Sequence, residues 1–217
     1  MAQTVTPTAA IPLYGRSADN IRDHRHVTSL LHRIETTDTG VLVTQTLSFD
    51  ERGHQVNHMT YYCVGWSGNG EKPVDFYPTA EDFVGEGGNF ERPYAIVKNA
   101  EGVKAGTKIE GLEAVGGLHF SEITLEPEEE CSYLIFTGIT EDIQEIRNLS
   151  KTYTTREKVL EELEKTKAYW QEKVNVAYHT GDSDFNQFMH WVSFQPILRR
   201  IYGCSFLPHH DYGKGGR

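Results

Sequence analysis

The chain has 217 residues, a length that suits one large domain or one domain with part of a second. It carries 31 acidic and 21 basic side chains, and its formal net charge of −10 disfavours bulk binding to nucleic-acid phosphates. The first ten residues lack the basic and apolar regions of a signal peptide, and no apolar run reaches the about 20 residues of a membrane helix. We therefore expect a cytoplasmic protein with no nucleic-acid or membrane partner.

The three cysteines, at positions 63, 131 and 204, lie far apart in the sequence. Structural zinc sites need closely spaced ligand pairs, and no such pair occurs. We expect buried free thiols in a reducing compartment, and no metal site.

The first two-thirds of the sequence predicts β-strands. Residues 27–34 are apolar-rich, and residues 41–49 place Val, Gln, Leu and Phe on one face and Thr and Ser on the other. Residues 50–53 have the composition of a turn, and residues 55–66 are rich in Tyr, Val and Thr. These segments predict a β-hairpin.

Glycine and proline recur through residues 67–116, which predicts a long loop of a functional or interfacial kind. Two strands are predicted at residues 117–125 and 131–140. The acidic linker between them, residues 126–130, is compatible with a cation site but is more typical of a solvated hairpin tip.

The last third predicts two helices. Thr154 to Glu157 fits a capping box, and apolar residues then recur at helical spacing to about Val174. Ser183 can cap a second helix, which Pro196 should kink or restart and Gly203 should end.

Residues 206–217 combine two histidines, an aspartate, a lysine and an arginine with three glycines. Such a segment is compatible with an ordinary polar loop, with anion or sugar contact, or with a metal site. The metal interpretation is weakened because adjacent histidines in an extended chain point apart.

Two other clusters allow a functional interpretation. Residues 23–26 (Asp-His-Arg-His) precede a predicted strand, and they fit either a charged surface or a site. Trp191, Gln195 and Arg199, with the adjacent Arg200, lie on the second helix, where the first three share one face. Trp191 and Gln195 fit either core packing with a satisfied glutamine or a sugar-binding pair.

Three stretches resemble glycoside hydrolase family 94, formerly glycosyltransferase family 36, which contains cellobiose phosphorylase and cyclic β-1,2-glucan synthase. Residues 77–88 are similar to a long loop of the family's β-sandwich, and residues 125–138 to its closing hairpin. Residues 191–217 match in order, and their end is most similar to the β-1,2-oligoglucan phosphorylase branch. Residues 14–20 and 23–31 are also similar to this group.

The resemblance implies a β + α fold. We expect a partial antiparallel β-sandwich of the supersandwich type over residues 1–150, lacking its first strands. Two linker helices over residues 151–202 and the first residues of an (α/α)6 barrel, residues 203–217, should follow.

The resemblance also implies the chemistry of an inverting β-glucoside phosphorylase. Inorganic phosphate, a co-substrate, attacks the anomeric carbon while a barrel aspartate protonates the leaving oxygen, and no cofactor is needed. In the family the donor-site segment and this acid come after the position of Arg217. We therefore expect a fragment without catalytic residues, inactive alone, from a homodimeric enzyme of β-linked oligosaccharides.

His209, Asp211 and Arg217 are the residues we expect to border the sugar pocket, in contact with the ligand or with residues that bind it. The alternative is a stand-alone, non-catalytic carbohydrate-binding or dimerisation β-sandwich module. A histidine-rich metal enzyme is a third interpretation.

Overall fold

The computed structural model describes residues 1–13, 29–50 and 53–201, without the side chains of residues 48–50, 53–55 and 198–201. The chain divides into two compact units, Met1–Lys158 and Val159–Arg217. The described residues form twelve strands and five helices. The strands are β1 Gln3–Val5, β2 Thr8–Leu13, β3 His32–Thr36, β4 Gly40–Gln45, β5 Leu47–Asp50, β6 Gly53–Val56, β7 Thr60–Ser67, β8 Asp75–Thr79, β9 Lys108–Glu110, β10 Ala114–His119, β11 Ile123–Leu125 and β12 Tyr133–Thr140. The helices are α1 Ala80–Val84, α2 Tyr94–Lys98, α3 Ile143–Thr152, α4 Arg156–Lys173 and α5 Ser183–Ile201.

The first unit is an antiparallel β-sandwich. A five-stranded sheet has the order β12-β7-β4-β3-β9, and a three-stranded sheet has the order β2-β10-β8. One core cluster joins side chains from both sheets: Ile34, Val41, Val43 and Cys63 from the larger, and Leu13, Phe76, Ala114 and Leu118 from the smaller. The predicted sandwich followed by helices is confirmed, while the predicted barrel start, residues 203–217, lies outside the described residues.

The pleat of β4 explains its position in this core. Val41 and Val43 are both completely buried, and Gln45 is 3% exposed, so the face predicted from the alternation points inward. Burial of each valine contributes roughly 1.5–3 kcal/mol. Leu42 is also buried, at 8% exposed, so the strand is covered on its second face as well.

The predicted hairpin is confirmed in an interrupted form. β4 pairs with β7 and, further along, β5 pairs with β6, with Asp50 opposite Gly53. The strand predicted over residues 55–66 is therefore two strands, β6 and β7, separated by residues 57–59.

The prediction of a long loop over residues 67–116 is wrong. This segment contains β8, α1, α2, β9 and the start of β10, and all five residues of β8 are buried. Pro78 is tolerated because β8 lies at an edge of its sheet and its register with β10 shifts between Ala114 and Gly117, opposite the proline.

The predicted hairpin around residues 126–130 is also wrong. β11 pairs with β1 and β12 pairs with β7, so the two strands do not pair with each other. The acidic residues between them are exposed, as expected for a solvated turn.

The two long helices end and begin close to their predicted positions. α4 ends at Lys173, one residue before the predicted end at about Val174. At its start, hydrogen bonds from the backbone of Glu157 and from the Thr155 side chain lower the pKa of the Glu157 carboxyl. For α5, Asp182 rather than Ser183 is the cap, since its carboxylate accepts from the backbone N–H of residues 184 and 185 at 3.0 Å each.

Pro196 does not interrupt α5, which continues to Ile201. The prediction of a restart at this proline is therefore wrong. A proline removes one intrahelical hydrogen bond, and here the helix continues past that loss. Gly203, the predicted helix end, lies outside the described residues.

The cysteines differ in environment. Cys63 is buried, and burial raises the pKa of its thiol to about 12. Cys131 is exposed, so the prediction of a buried thiol is wrong there, because residue 131 lies in an exposed turn before β12. Cys204 is outside the described residues.

The two sheets are in close contact where β10 packs on β7. A Cβ atom added to Gly116 would lie 2.2 Å from the Cβ and 2.9 Å from the Sγ of Cys63. We expect Gly116→Ala to lower the free energy of unfolding by about 1–3 kcal/mol, because the sheets must separate to admit the methyl group. Urea unfolding of the chain measures this change.

Gly181→Ala is the matched control, because a Cβ atom there would meet no atom within 4 Å. Its effect should stay within about 0.5 kcal/mol. Equal stabilities of the two variants would show that the sheets do not need this close contact.

Candidate functional site

The outer face of the three-stranded sheet carries a second core under two short helices. Tyr77 and Val115 of the sheet pack with Phe83 of α1 and Ala95 of α2. Thr79 starts α1, since its hydroxyl accepts from the backbone N–H of Asp82 at 3.0 Å and donates to the Asp82 carboxylate at 2.7 Å. This arrangement fixes both helices over β8.

Asp75, Tyr77 and His119 form a buried polar cluster on the same face. Asp75 and Tyr77 are two residues apart in β8 and so share a face, and His119 of β10 lies directly opposite Asp75 in the pairing register. The exposed fractions are 3% for Asp75, 1% for Tyr77 and 9% for His119. Strand pairing alone therefore brings these three side chains together.

Hydrogen bonds close this cluster. The Nδ1 atom of His119 lies 2.6 Å from the Oδ1 atom of Asp75, and it donates because a carboxylate only accepts. The Tyr77 hydroxyl donates to the carbonyl of Ala100, and Lys104 Nζ lies 3.8 Å from the second Asp75 oxygen. Burial first, and then the Asp75 charge, raises the pKa of Tyr77 to about 12, so its phenol stays protonated at neutral pH.

A histidine oriented by an aspartate is also the supporting half of a nucleophilic triad. In the described chain, however, His119 makes no hydrogen bond to a serine, threonine or cysteine. Since the Tyr77 hydroxyl already donates to a carbonyl, the cluster has no activated nucleophile. It holds Tyr77 and the segment at residue 100 in place.

A cleft of about 460 Å³ opens above this cluster. It lies within the first unit, beside β8, α1, α2 and the segment that leads to Val103. Its lining residues are Tyr77, Glu81, Asp82, Gly85, Glu86, Tyr94, Ala100, Glu101, Gly102 and Val103. The site therefore combines two tyrosines with four carboxylates.

Most of the predicted site residues cannot be located relative to this cleft. His209, Asp211 and Arg217 lie outside the described residues, as does the cluster at residues 23–26. Their roles stay predictions.

Trp191 and Gln195 of α5 are described, and Trp191 does not fit simple core packing. Trp191 is 57% exposed and stacks on Phe194 at 5.5 Å between ring centroids. The Nε2 atom of Gln195 is buried and has no hydrogen-bond partner among the described residues, so the interpretation as a satisfied core glutamine stays a prediction. The side chains of residues 199 and 200 are not described.

Two features of the described residues bear on other function classes. No group of three or more His, Cys, Asp or Glu side chains there is placed to hold a metal ion. No helix formed by those residues has the length and apolar character required to span a membrane.

Sequence reasoning missed the Asp75, Tyr77 and His119 cluster because the surrounding glycines and prolines suggested a loop. Two signals were present in the sequence. Thr79 and Asp82 have the spacing of a helix cap, and residues 75–79 form a short aromatic run before it. The partner of Asp75 could not be identified, since the register of β8 and β10 is a tertiary property.

The family model of the glycosyl hydrolase 94 supersandwich domain matches residues 5–156. The chain belongs to glycoside hydrolase family 94. The matched span contains the sandwich core, the polar cluster and the cleft of this family 94 chain. No curated protein matches the chain.

The stability of the family 94 sandwich should depend on the buried hydrogen bond between His119 and Asp75. We expect His119→Ala to lower the free energy of unfolding by about 2–3 kcal/mol, because it leaves the buried Asp75 carboxylate without its donor. Chemical unfolding of the chain at neutral pH measures the loss.

Glu101→Gln is the matched control, because Glu101 is exposed and forms only a surface ion pair with Lys104 at 3.5 Å. Its cost should stay below about 1 kcal/mol. A His119→Ala variant as stable as Glu101→Gln would show that the buried pair does not stabilise the sandwich.

Proposed function

We propose that this chain is the supersandwich and linker portion of an inverting β-glucoside phosphorylase that acts on β-linked gluco-oligosaccharides. The observation that carries the proposal is the family match over residues 5–156, which makes the chain part of a carbohydrate-active enzyme family. The finer activity rests on the similarity of residues 191–217 to the phosphorylases of that family. Inorganic phosphate is then the co-substrate, and the parent protein needs no other cofactor.

The described residues favour a non-catalytic role for this portion. Its buried histidine and aspartate are engaged with each other, and the thiol of Cys63 is buried with a pKa of about 12. An inverting reaction needs a carboxylic acid beside the leaving oxygen and a site for phosphate. In the proposal both belong to the barrel of the full-length protein, and His209, Asp211 and Arg217 border its sugar pocket.

The full-length protein should release glucose 1-phosphate from at least one β-linked disaccharide, and only when phosphate is present. The 217-residue chain alone should neither phosphorolyse nor hydrolyse the same panel, because in the proposal the general acid, which contributes roughly 10²–10⁴-fold, belongs to the barrel. A coupled assay for glucose 1-phosphate measures both proteins. Phosphate-independent hydrolysis by the full-length protein would contradict the phosphorylase proposal, and turnover by the chain alone would contradict its non-catalytic role.

Variants of the full-length enzyme test the terminal segment in the same assay. Asp211→Ala and Arg217→Ala should each lower kcat/KM more than about twofold if these side chains border the pocket. If both stay within twofold of the wild type, the segment is a connector.

We also propose that the parent enzyme is a homodimer with the sandwich at its interface. The segment that includes α2 exposes four large hydrophobic side chains: Phe90 at 44%, Tyr94 at 53%, Ile96 at 48% and Val97 at 52%. Exposed apolar groups close together are typical of surfaces that another protein covers.

Ile96→Glu in the full-length protein should raise the dimer dissociation constant at least about tenfold, because a charge would be buried at the contact. Val56→Glu is the control, since Val56 is 64% exposed on a different hairpin. Light scattering at micromolar concentration measures the assembly. A monomeric wild-type protein, or equal effects of the two variants, would contradict this interface.

A further inference from the structure

The cleft above Tyr77 has the dimensions of a small-molecule site. Its volume of about 460 Å³ lies within the roughly 300–1,000 Å³ typical of ligand pockets. One wall is rigid, because Tyr77 is 1% exposed and its hydroxyl donates to Ala100. Tyr94, which is 53% exposed, also lines the cleft and leaves about half of its surface available for contact.

The charge of the lining excludes one class of ligand. Four carboxylates line the cleft, and its described lining contains no lysine, arginine or histidine. An anion such as phosphate would be repelled there. This cleft therefore differs in kind from a phosphate-binding site.

Two of the four carboxylates are already engaged. Asp82 accepts from the Thr79 hydroxyl, and Glu101 lies 3.5 Å from Lys104 Nζ. The carboxylates of Glu81 and Glu86 have no hydrogen bond or ion pair within the described chain. Both residues are exposed, so these two strong acceptors face solvent and are open to the donors of a ligand.

We propose that this cleft binds a glucose unit of a neutral gluco-oligosaccharide. Sugar hydroxyls would donate to Glu81 and Glu86, and the apolar face of the sugar ring would contact Tyr94. The inference rests on the proposed function, because a carbohydrate-acting parent favours a sugar over a cationic ligand, which carboxylates and aromatic rings also attract. The cleft is then a non-catalytic subsite that holds an oligosaccharide on the sandwich.

The first experiment titrates the isotope-labelled 217-residue chain with β-1,2-, β-1,3- and β-1,4-linked glucotriose, without phosphate. Binding should shift the amide signals of Gly85 and Gly102, which line the cleft. Tyr94→Ala should weaken binding about tenfold, equivalent to about 1.4 kcal/mol of lost ring contact, whereas Tyr94→Phe keeps the ring and should bind as the wild type does. Tyr169→Ala, a change of the same kind at an exposed residue of the second unit, should have no effect.

The second experiment separates a sugar from a cation. Glu81→Gln and Glu86→Gln each keep a carbonyl acceptor but lose the charge, so affinity for glucotriose should stay within about threefold. Spermidine is the cationic probe. The proposal is overturned if none of the trisaccharides shifts the two signals at about 10 mM, if only spermidine shifts them, or if Tyr94→Ala binds as well as Tyr94→Phe.

The outcome is independent of the phosphorylase assay. A full-length enzyme that releases glucose 1-phosphate while the chain binds no glucotriose would overturn only the cleft proposal. Glucotriose binding by the chain, with no phosphorolysis by the full-length protein, would contradict only the phosphorylase activity.

Discussion

The close contact of β10 with β7 is the constraint on which the sandwich depends. Gly116 has no side chain, so its backbone can pack directly on Cys63, where a Cβ atom would come within 2.2 Å. Leu118, two residues further on the same face, is then completely buried between the sheets. A larger residue at position 116 would separate the two sheets. The valines of β4 would then lose the close packing that makes their burial stabilising.

The neighbouring Gly117 serves the opposite face of the same strand. A Cβ atom there would lie 2.5 Å from the carbonyl oxygen of Tyr77, so the glycine allows β8 to lie close to β10 where their register shifts beside Pro78. β8 ends at Thr79, which caps α1. The two short helices, the polar cluster and the cleft all follow from this path of the chain.

The chemistry of the described chain is that of support and contact rather than bond cleavage. His119 and Asp75 satisfy each other in a buried environment, and the phenol of Tyr77 donates to a carbonyl. Such a closed network makes the local structure rigid, because every buried donor and acceptor in it has a partner. By contrast, the carboxylates of Glu81 and Glu86 at the cleft are exposed and have no partner among the described residues, so we propose the cleft and not the buried cluster as the place for a ligand.

The sequence by itself determined the class of the fold and the paired strands that local patterns encode. The alternation of Val41 and Val43 and the turn at residues 50–53 predicted the first hairpin, because side-chain period and turn composition are local properties. The helix that ends near residue 173 was predicted for the same reason. The family was predicted from motifs that occur in order along the sequence. The family model that matches residues 5–156 confirms the family.

Only the tertiary structure decided which strands pair at a distance and which side chains meet. β11 pairs with β1, more than a hundred residues earlier, and no local pattern contains that register. The composition of residues 67–116 suggested a loop, yet β8 lies there with all five residues buried, because it packs in a core on each face. Its edge position and shifted register accept the proline. Asp75 and His119 meet through that pairing, 44 residues apart, so this site depends on long-range strand pairing that single-sequence reasoning does not contain.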